Sequence, residues 1–169
     1  MNDFTGSSKR TQIVLFGSDF ALLESLKPFS AGLPYISYEV GYGPQVTART
    51  HLDAMWATPM MGVEIFGANP PFPLHEAQVL TTPDIQIKQG MPRYGVVGVA
   101  VAQDEVRTPE DDLRLVMSAL LDAIKRFNSR NADQIVKIGI LPEDLALGKL
   151  EPGKAFQIIQ EVYGQRSSG

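Results

Sequence analysis

Two carboxylates of this sequence are candidates for activating a water molecule. Asp104 follows the apolar stretch "YGVVGVAVA" (94–102), and Asp144 lies in "LPEDLALGK" (141–149). A carboxylate held beside a substrate can take a proton from water, so both are candidate catalytic residues. The alternatives are a helix start with a surface ion pair for Asp104, and the cap of a surface turn for Asp144. The sequence leaves open whether the chain is an enzyme.

Motifs for other chemistries are absent from the sequence. It contains no Cys, and His51 and His75 lie far apart without a metal-binding spacing. We therefore predict no thiol chemistry and no metal site. The patterns G-x-S-x-G, G-x-G-x-x-G and G-x-x-x-x-G-K-[ST] do not occur, so neither a nucleophile elbow nor a standard phosphate loop is indicated. We expect no cofactor.

The segment "LPEDLALGK" also offers groups that could bind a phosphate. Its candidate ligand-binding residues are Glu143, Leu147, Gly148 and Lys149. Lys149 would supply the positive charge that backbone N–H groups supply in other phosphate loops. Acidic groups there repel a phosphate unless they turn to solvent. The alternative is a surface turn without a ligand.

The stretch "FGSDF" (16–20) lies where a strand leads into a helix. Backbone N–H groups at such a helix start could take a phosphate, with Asp19 and Phe20 beside it. The alternative is that Asp19 only caps the helix.

The stretch "WATPMMG" (56–62) could line a purine or ribose pocket. Trp56 offers a stacking surface, and Met60 and Met61 offer soft contact surface. Thr58 is the hydroxyl of this loop that could still donate a hydrogen bond. The alternative is that Trp56 fills the core and the loop merely turns.

Apolar and amphipathic stretches alternate along the chain and determine where these candidates lie. We predict strands at 11–17, 34–43, 52–57, 94–102 and 134–140, weaker strands at 62–67 and 83–90, and helices at 18–29, 107–128 and 151–164. Stretch 94–102 is apolar on both faces, so we expect a central strand covered on both sides. Its Gly95 and Gly98 leave room for a closely packed helix.

The predicted fold class is α/β, a three-layer α/β/α arrangement around a mixed, mostly parallel sheet. The two final strand–helix units imply parallel strands with helices on the faces of the sheet. Ligands gather at the carboxyl ends of such strands. That rule points to the loops 17–20, 57–62, 103–109 and 141–149.

Length and charge set the domain organisation and exclude some partners. The 169 residues fit one domain, which we place at 11–164, with flexible ends at 1–10 and 165–169. The net charge of -4, without a Lys/Arg-rich segment, argues against nucleic acid. No apolar stretch reaches the ~18–20 residues that cross a bilayer, and no secretory signal is visible. We expect a cytoplasmic protein without a membrane partner, and leave self-association open.

The order of elements from about residue 50 to 163 resembles a divergent branch of the macro domain, a fold best known for binding ADP-ribose. The segments that carry the likeness are "THLDAMWATPMMG", "PLHEAQVLTTP", "YGVVGVAVAQDEVRTPEDDLRLVMSALLDAI" and "IVKIGILPEDLALGKLEPGKAFQIIQEVY". The resemblance implies a macro-like fold and two ligand loops, at 57–62 and 141–149. It also implies that an acid near Asp19 accepts from an adenine amine.

Two loops depart from the macro pattern. The first usually offers Asn side chains to the distal ribose, where this sequence has Thr58, Pro59, Met60 and Met61. The second usually carries G-x-G around the diphosphate, where this sequence has one glycine and two acids.

Three hypotheses follow for function. The first is a module that binds ADP-ribose or a related nucleotide with little or no catalysis. The second is an ADP-ribose-directed hydrolase that uses a carboxylate as base. The third is a scaffold or oligomer subunit that retained the fold and lost the ligand.

Overall fold

The computed structural model describes residues 10–98, 101 and 104–167, and a six-stranded sheet lies at its centre. The strands are β1 (Gln12–Gly17), β2 (Ile36–Val40), β3 (Ala54–Ala57), β4 (Gln78–Thr81), β5 (Tyr94–Val97) and β6 (Lys137–Ile140). Their order across the sheet is β2-β1-β6-β3-β5-β4. All neighbouring pairs are parallel except β4 with β5.

Helices cover both faces of this sheet. They are α1 (Phe20–Leu26), α2 (Gly43–Thr50), α3 (Pro59–Phe66), α4 (Asp84–Lys88), α5 (Pro109–Arg130) and α6 (Pro152–Ser167), with 3₁₀ turns at Lys27–Ser30 and Pro142–Leu145. The predicted α/β class, with three layers and a mostly parallel mixed sheet, is confirmed. None of the helices in the described residues is long and apolar enough to span a bilayer.

The alternation of side chains along each strand divides the core in two. Ile13 and Leu15 of β1 face the cluster that holds the apolar stripes of α5 and α6 and the end of α1. Val14 and Phe16 face the smaller cluster that contains Val46 of α2 and Phe66 of α3. Because successive strand residues point to opposite faces, a strand that is apolar throughout is covered on both sides.

One carboxylate holds the amino ends of three neighbouring strands. Asp53, just before β3, accepts from the backbone N–H groups of Val136 and Lys137 at the start of β6, each at 2.9 Å. Its other oxygen accepts from Arg93, which precedes β5, at 2.7 Å. Arg93 also pairs with Asp133. The register of β3, β5 and β6 is therefore fixed at this edge.

The longest helix starts where the sequence predicts. Thr108 caps α5 by accepting from the Asp111 N–H at 3.1 Å, and the Asp111 carboxylate accepts from the Thr108 N–H at 3.1 Å. Pro109 occupies the first helical position, where no N–H is needed. This reciprocal cap fixes the point at which the chain turns from the carboxyl end of β5 into α5.

Two weak strand predictions are wrong, because both segments are helices. Residues 62–66 fall in α3 and Gly67 follows its last residue. The helix begins at Pro59, and the Thr58 side chain before it accepts from the Met61 N–H at 3.3 Å. Residues 83–90 contain α4, and the edge strand is β4 instead. Ile85 and Ile87, which alternate as in a strand, are exposed on this short helix.

A third helix was not predicted, and one strand lies elsewhere than expected. The sequence indicates only a turn at Gly41 and Gly43, but α2 begins at Gly43, and the Gln45 side chain accepts from the Tyr42 N–H at 2.9 Å. Strand β5 is covered on both faces, as expected, but it lies next to the edge strand rather than at the centre of the sheet. Part of the predicted strand, residues 99, 100 and 102, lies outside the described residues.

The predicted flexible ends fall partly outside the described residues as well. Residues 1–9 and 168–169 are not described, and α6 continues to Ser167.

Glycine allows α3 to approach β5 closely, and this contact can be tested. A Cβ at Gly95 would collide with the Phe66 ring, whereas one at Gly17 would meet nothing within 4 Å. We expect Gly95→Ala to lower the free energy of unfolding by about 1–3 kcal/mol, the usual cost of overpacking a core. Gly17→Ala, the matched control, should change it by less than about 0.5 kcal/mol. Urea denaturation measures both, and equal effects would contradict the packing described.

Candidate functional site

The loops after β6 and β3 diverge to opposite faces of the sheet. The chain leaves β6 towards α6, on the face that α5 shares, and leaves the neighbouring β3 towards α3, on the other face. Such a change of direction between adjacent parallel strands opens a crevice at their carboxyl ends. The site predicted from the sequence therefore lies where the topology favours one.

A cleft of about 390 Å³ opens at this edge between the start of α5 and the loop after β6. We call it the charged cleft. Its charged side chains are Arg107, Asp112, Glu143, Asp144 and Lys149, and its apolar ones include Leu113, Val116 and Ala146. Its volume lies within the ~300–1,000 Å³ typical of small-molecule sites. A second depression of about 250 Å³, beside Phe29 and Phe156, has no charged lining.

Buried leucines and backbone hydrogen bonds hold the loop after β6. Leu145 and Leu147 are fully buried in the larger core cluster. Ala146 between them has φ 57°, and its carbonyl accepts from the Lys149 N–H at 3.1 Å. The Pro142 carbonyl accepts from the Leu147 N–H at 3.1 Å. The loop is thereby anchored to the core, while Glu143, Asp144 and Lys149 line the cleft.

Arg107 is oriented by two carboxylates. Its Nε lies 3.0 Å from Oδ1 of Asp112 on the first turns of α5, and its Nη1 lies 3.9 Å from Oε2 of Glu105. Both nitrogen atoms are buried, and neither makes a hydrogen bond within the described part of the chain. The ion pairs thus fix the guanidinium and leave two of its nitrogen atoms without an acceptor in hydrogen-bonding geometry.

Glu105 also joins this side of the cleft to the Pro-rich connection before β4. Its Oε1 lies 2.7 Å from Nε2 of His75. His75 has φ 61°, in the left-handed region. The connection between α3 and β4 is therefore attached to the loop that carries Arg107.

Asp144 has the most perturbed carboxyl group of the cleft. Burial, and to a smaller extent the neighbouring Glu143 carboxylate, raise its pKa from the ordinary 3.8 to about 6. No hydrogen bond or ion pair reaches this carboxylate from any described residue. A half-buried acid without such a partner, in a cleft, is a feature of binding and catalytic sites.

The structure brings together part of the residues predicted from the sequence. Glu143, Asp144 and Lys149 line the charged cleft. Leu147 is 2% exposed, belongs to the core and does not line this cleft. Gly148 is exposed and has φ 135°, and a Cβ added at this position would meet no atom within 4 Å.

The candidates at the carboxyl ends of β1, β3 and β5 lie at the same sheet edge but do not line the charged cleft. Asp19 caps α1, its Oδ1 accepting from the Leu22 N–H at 3.0 Å, and Phe20 is exposed beside it. Trp56 is 6% exposed and packs in the core of β3. Thr58 caps α3, as described above. Asp104, the other candidate base, is exposed and is also absent from the lining.

Met60 and Met61 lie on the first turn of α3 with exposed side chains. They contribute no wall of the charged cleft, since that cleft opens on the α5 and α6 face. Residues 57–62, which the sequence predicts to line a ligand pocket, therefore do not line the charged cleft.

None of Arg107, Asp112, Leu113 and Val116 is predicted from the sequence as a candidate site residue. Their signal is positional: they occupy the turn after β5 and the first turns of the helix that begins there. Among the described residues no group of three or more His, Cys, Asp or Glu side chains could hold a metal ion.

The chain matches no protein-family model, no curated protein and no solved structure. Functional assignment therefore depends on the geometry of the cleft.

The raised pKa of Asp144 makes a prediction about stability. Above about pH 6 the carboxyl group is ionised in the folded and the unfolded protein, and its burial lowers the free energy of unfolding. As the pH falls towards about 4, the folded state takes up the proton first and this penalty disappears. We expect Asp144→Asn to stabilise the protein by about 1 kcal/mol at about pH 8 and not at all near pH 4.

Urea denaturation across this range measures the effect. Asp104→Asn, which removes an exposed carboxylate outside the cleft, is the control and should change stability by less than about 0.5 kcal/mol. A stabilisation by Asp144→Asn that is the same at both pH values would contradict the burial of Asp144.

Proposed function

We propose that the chain binds a small phosphorylated ligand of the nucleotide or ADP-ribose type in the charged cleft. The observation that carries the proposal is the pairing of a fixed guanidinium, Arg107, with the ammonium group of Lys149 across one cleft. Arginine and lysine are the side chains that bind phosphate groups most strongly in proteins.

The two cations differ in a way that suits a phosphate. Arg107 is held by Asp112 and Glu105, so little side-chain freedom is lost when it binds. Lys149 is exposed, and no described residue forms an ion pair with it. The start of the 22-residue α5, which adjoins the cleft through Pro109, adds the positive end of a helix dipole.

The remaining lining suits the rest of a nucleotide. Leu113, Val116 and Ala146 provide an apolar wall for a base or a sugar face. Glu143 and Asp144 provide acceptors for hydroxyl groups of a ribose or for an exocyclic amine. A ligand with a phosphate at one end and hydroxyl or amine donors at the other would satisfy both sets of groups.

The two acids make the affinity for such a ligand depend on pH. With both ionised, Glu143 and Asp144 oppose the approach of a phosphate. Protonation of Asp144, whose pKa is about 6, removes one of these charges and turns an acceptor into a donor for a phosphate oxygen.

The macro-domain resemblance supports ADP-ribose as the first ligand to test. The loop after β3, however, lacks the side chains that bind the distal ribose in the macro pattern. Thr58 uses its hydroxyl to cap α3, and the methionines that follow it offer no polar group. In this proposal the loop after β3 contributes little to the ribose, and the loop after β6 holds the ligand.

A thermal-shift panel of ADP-ribose, NAD, ADP, AMP and cyclic nucleotides tests the proposal. A ligand at about 100 times its Kd stabilises the folded state by about 2.7 kcal/mol, which raises the Tm by about 5–10 °C for a chain of this size. We expect Lys149→Ala to weaken the binding by about 10–100-fold, since a charge-assisted contact is lost.

Lys154→Ala is the matched control, because it removes the same charge from an exposed position of α6 outside the cleft. It should leave the shift unchanged. If no ligand of the panel shifts the wild-type protein, the nucleotide proposal fails, and the scaffold hypothesis is left as the better account of the fold.

A hydrolase is the second candidate function, and the raised pKa of Asp144 favours it. A base with a pKa near neutrality can take a proton from water and still ionise at working pH. In this scheme Asp144 accepts the proton of a water that attacks the carbon or phosphorus atom bonded to the leaving group. Of the two candidate bases, Asp144 lines the cleft and Asp104 does not.

The hydrolase candidate predicts a separation of binding from turnover. With ADP-ribosylated protein as substrate, Asp144→Asn should lower kcat by about 100-fold or more, while the ADP-ribose thermal shift persists. Asp104→Asn, the control, should retain turnover. Wild-type protein that binds ADP-ribose but releases none would reject the hydrolase and leave the binding proposal intact.

A further inference from the structure

Large apolar side chains are concentrated at the carboxyl edge of the sheet. Seven of the exposed ones among the described residues lie at that edge, in strand ends, loops or first helical turns. We call them the apolar rim: Phe20, Val40, Tyr42, Met60, Met61, Leu74 and Val106. At the opposite edge only Phe29, Ile85 and Ile87 are comparable within the described chain. Single exposed apolar residues need no explanation, but their concentration at one edge marks an interaction surface.

The residues of the apolar rim extend along the whole edge. In the order of the strands, Val40 ends β2 and Tyr42 comes after it, Phe20 follows β1, and Met60 follows β3. Val106, which is 97% exposed, follows β5. Aromatic residues and methionine are the types most enriched at the centres of protein interfaces, and methionine also adapts to different partners.

Negative charge accompanies the apolar rim. The loops after β1, β5 and β6, with the first turns of α5, carry nine acidic residues, against three basic ones, Arg107, Arg114 and Lys149. The acidic residues are Asp19, Asp104, Glu105, Glu110, Asp111, Asp112, Glu143, Asp144 and Glu151. Of these three cations, Arg107 and Arg114 are already paired with carboxylates. The part of the edge formed by the loops after β1, β5 and β6 is therefore acidic.

We propose that the carboxyl edge docks a basic polypeptide segment that bears large apolar side chains. The apolar residues of the partner cover the apolar rim, and its lysine or arginine residues pair with the surrounding carboxylates. Complementary charge of this kind selects the partner and raises the association rate. None of the apolar rim residues lines the charged cleft, but Asp112, Glu143 and Asp144 belong to both, so the docking surface borders the proposed ligand site.

The negative charge at the carboxyl edge favours a basic polypeptide over a membrane, a nucleic acid or a second copy of the chain. An anionic lipid surface or a nucleic acid would extend along the edge and meet nine carboxylates against three cations, so both would be repelled. A small ligand in the charged cleft, by contrast, has Arg107 and Lys149 within reach. A second copy would have to bring a basic surface against this edge. A basic polypeptide is the occupant that suits both the apolar and the acidic character of the surface.

Calorimetric titration with model peptides tests the proposal. The probes are a short amphipathic peptide of Leu and Lys, its counterpart with Glu in place of Lys, and a third with Ser in place of Leu. We expect the Leu/Lys peptide alone to bind, and its affinity to fall as salt is added. The double variant Met60→Ser, Val106→Ser should weaken it by about tenfold or more.

Ile85→Ser, Ile87→Ser is the matched control, since it removes two exposed apolar side chains from the opposite edge. It should leave the affinity unchanged. Far-ultraviolet circular dichroism and the urea midpoint confirm that both double variants fold, as expected for exposed positions.

Several outcomes would overturn the proposal. They are the absence of Leu/Lys binding, equal binding of the Leu/Glu peptide, and an equal loss in the control variant. Binding to phosphatidylserine vesicles would assign the edge to a membrane instead. Dimerisation in sedimentation velocity that Met60→Ser, Val106→Ser abolishes would assign it to a second copy. None of these readouts requires the nucleotide proposal to hold.

Discussion

The Asp53 carboxylate fixes the alignment on which the rest of the molecule depends. It accepts from two backbone N–H groups at the start of β6 and from the arginine before β5, while Asp53 itself leads into β3. Three neighbouring strands are thereby brought into register at their amino ends. Since parallel strands of four residues have few hydrogen bonds with which to define a register, this local constraint determines how their opposite ends align.

Close packing on the two faces then determines where a cleft can open. On one face, Gly62 of α3 lies directly against Val97, and Gly95 of β5 lies directly against Phe66, so α3 fits tightly over β3 and β5. On the other face, the capped start of α5 and the anchored loop after β6 line the two sides of the cleft and leave a gap between them. The cleft is thus a consequence of topology, and the side chains at its border provide its chemistry.

Elements with a regular apolar pattern are predicted well from this sequence, whereas short helices that depend on capping contacts are not. Strands β1, β3, β5 and β6 and helices α5 and α6 have regular apolar patterns that report burial directly, and each is found close to its predicted position. Helices α2 and α3 are short and rich in Gly and Pro, and side chains at their first turns stabilise them. Such capping contacts depend on geometry more than on periodicity, so these helices were missed or read as strand.

The residues of the charged cleft also differ in whether the sequence predicts them. Glu143, Asp144 and Lys149 could be named beforehand because they follow a recognisable strand, and parallel strands place such loops at one edge. The role of Arg107 could not, because it arises from contacts with Asp112 and Glu105 that only the folded chain brings into place. The perturbation of Asp144 has the same origin: two adjacent acids are visible in the sequence, but the burial of one of them is not.

The anchored loop after β6 has one more consequence, which concerns the entropy of association. Ala146 adopts φ 57° between two buried leucines, and backbone hydrogen bonds close the turn on both sides of it. The backbone that carries Glu143, Asp144 and Lys149 is therefore preorganised before anything binds. A molecule that enters the cleft orders only side chains and itself, so a larger part of its contact energy is available as affinity.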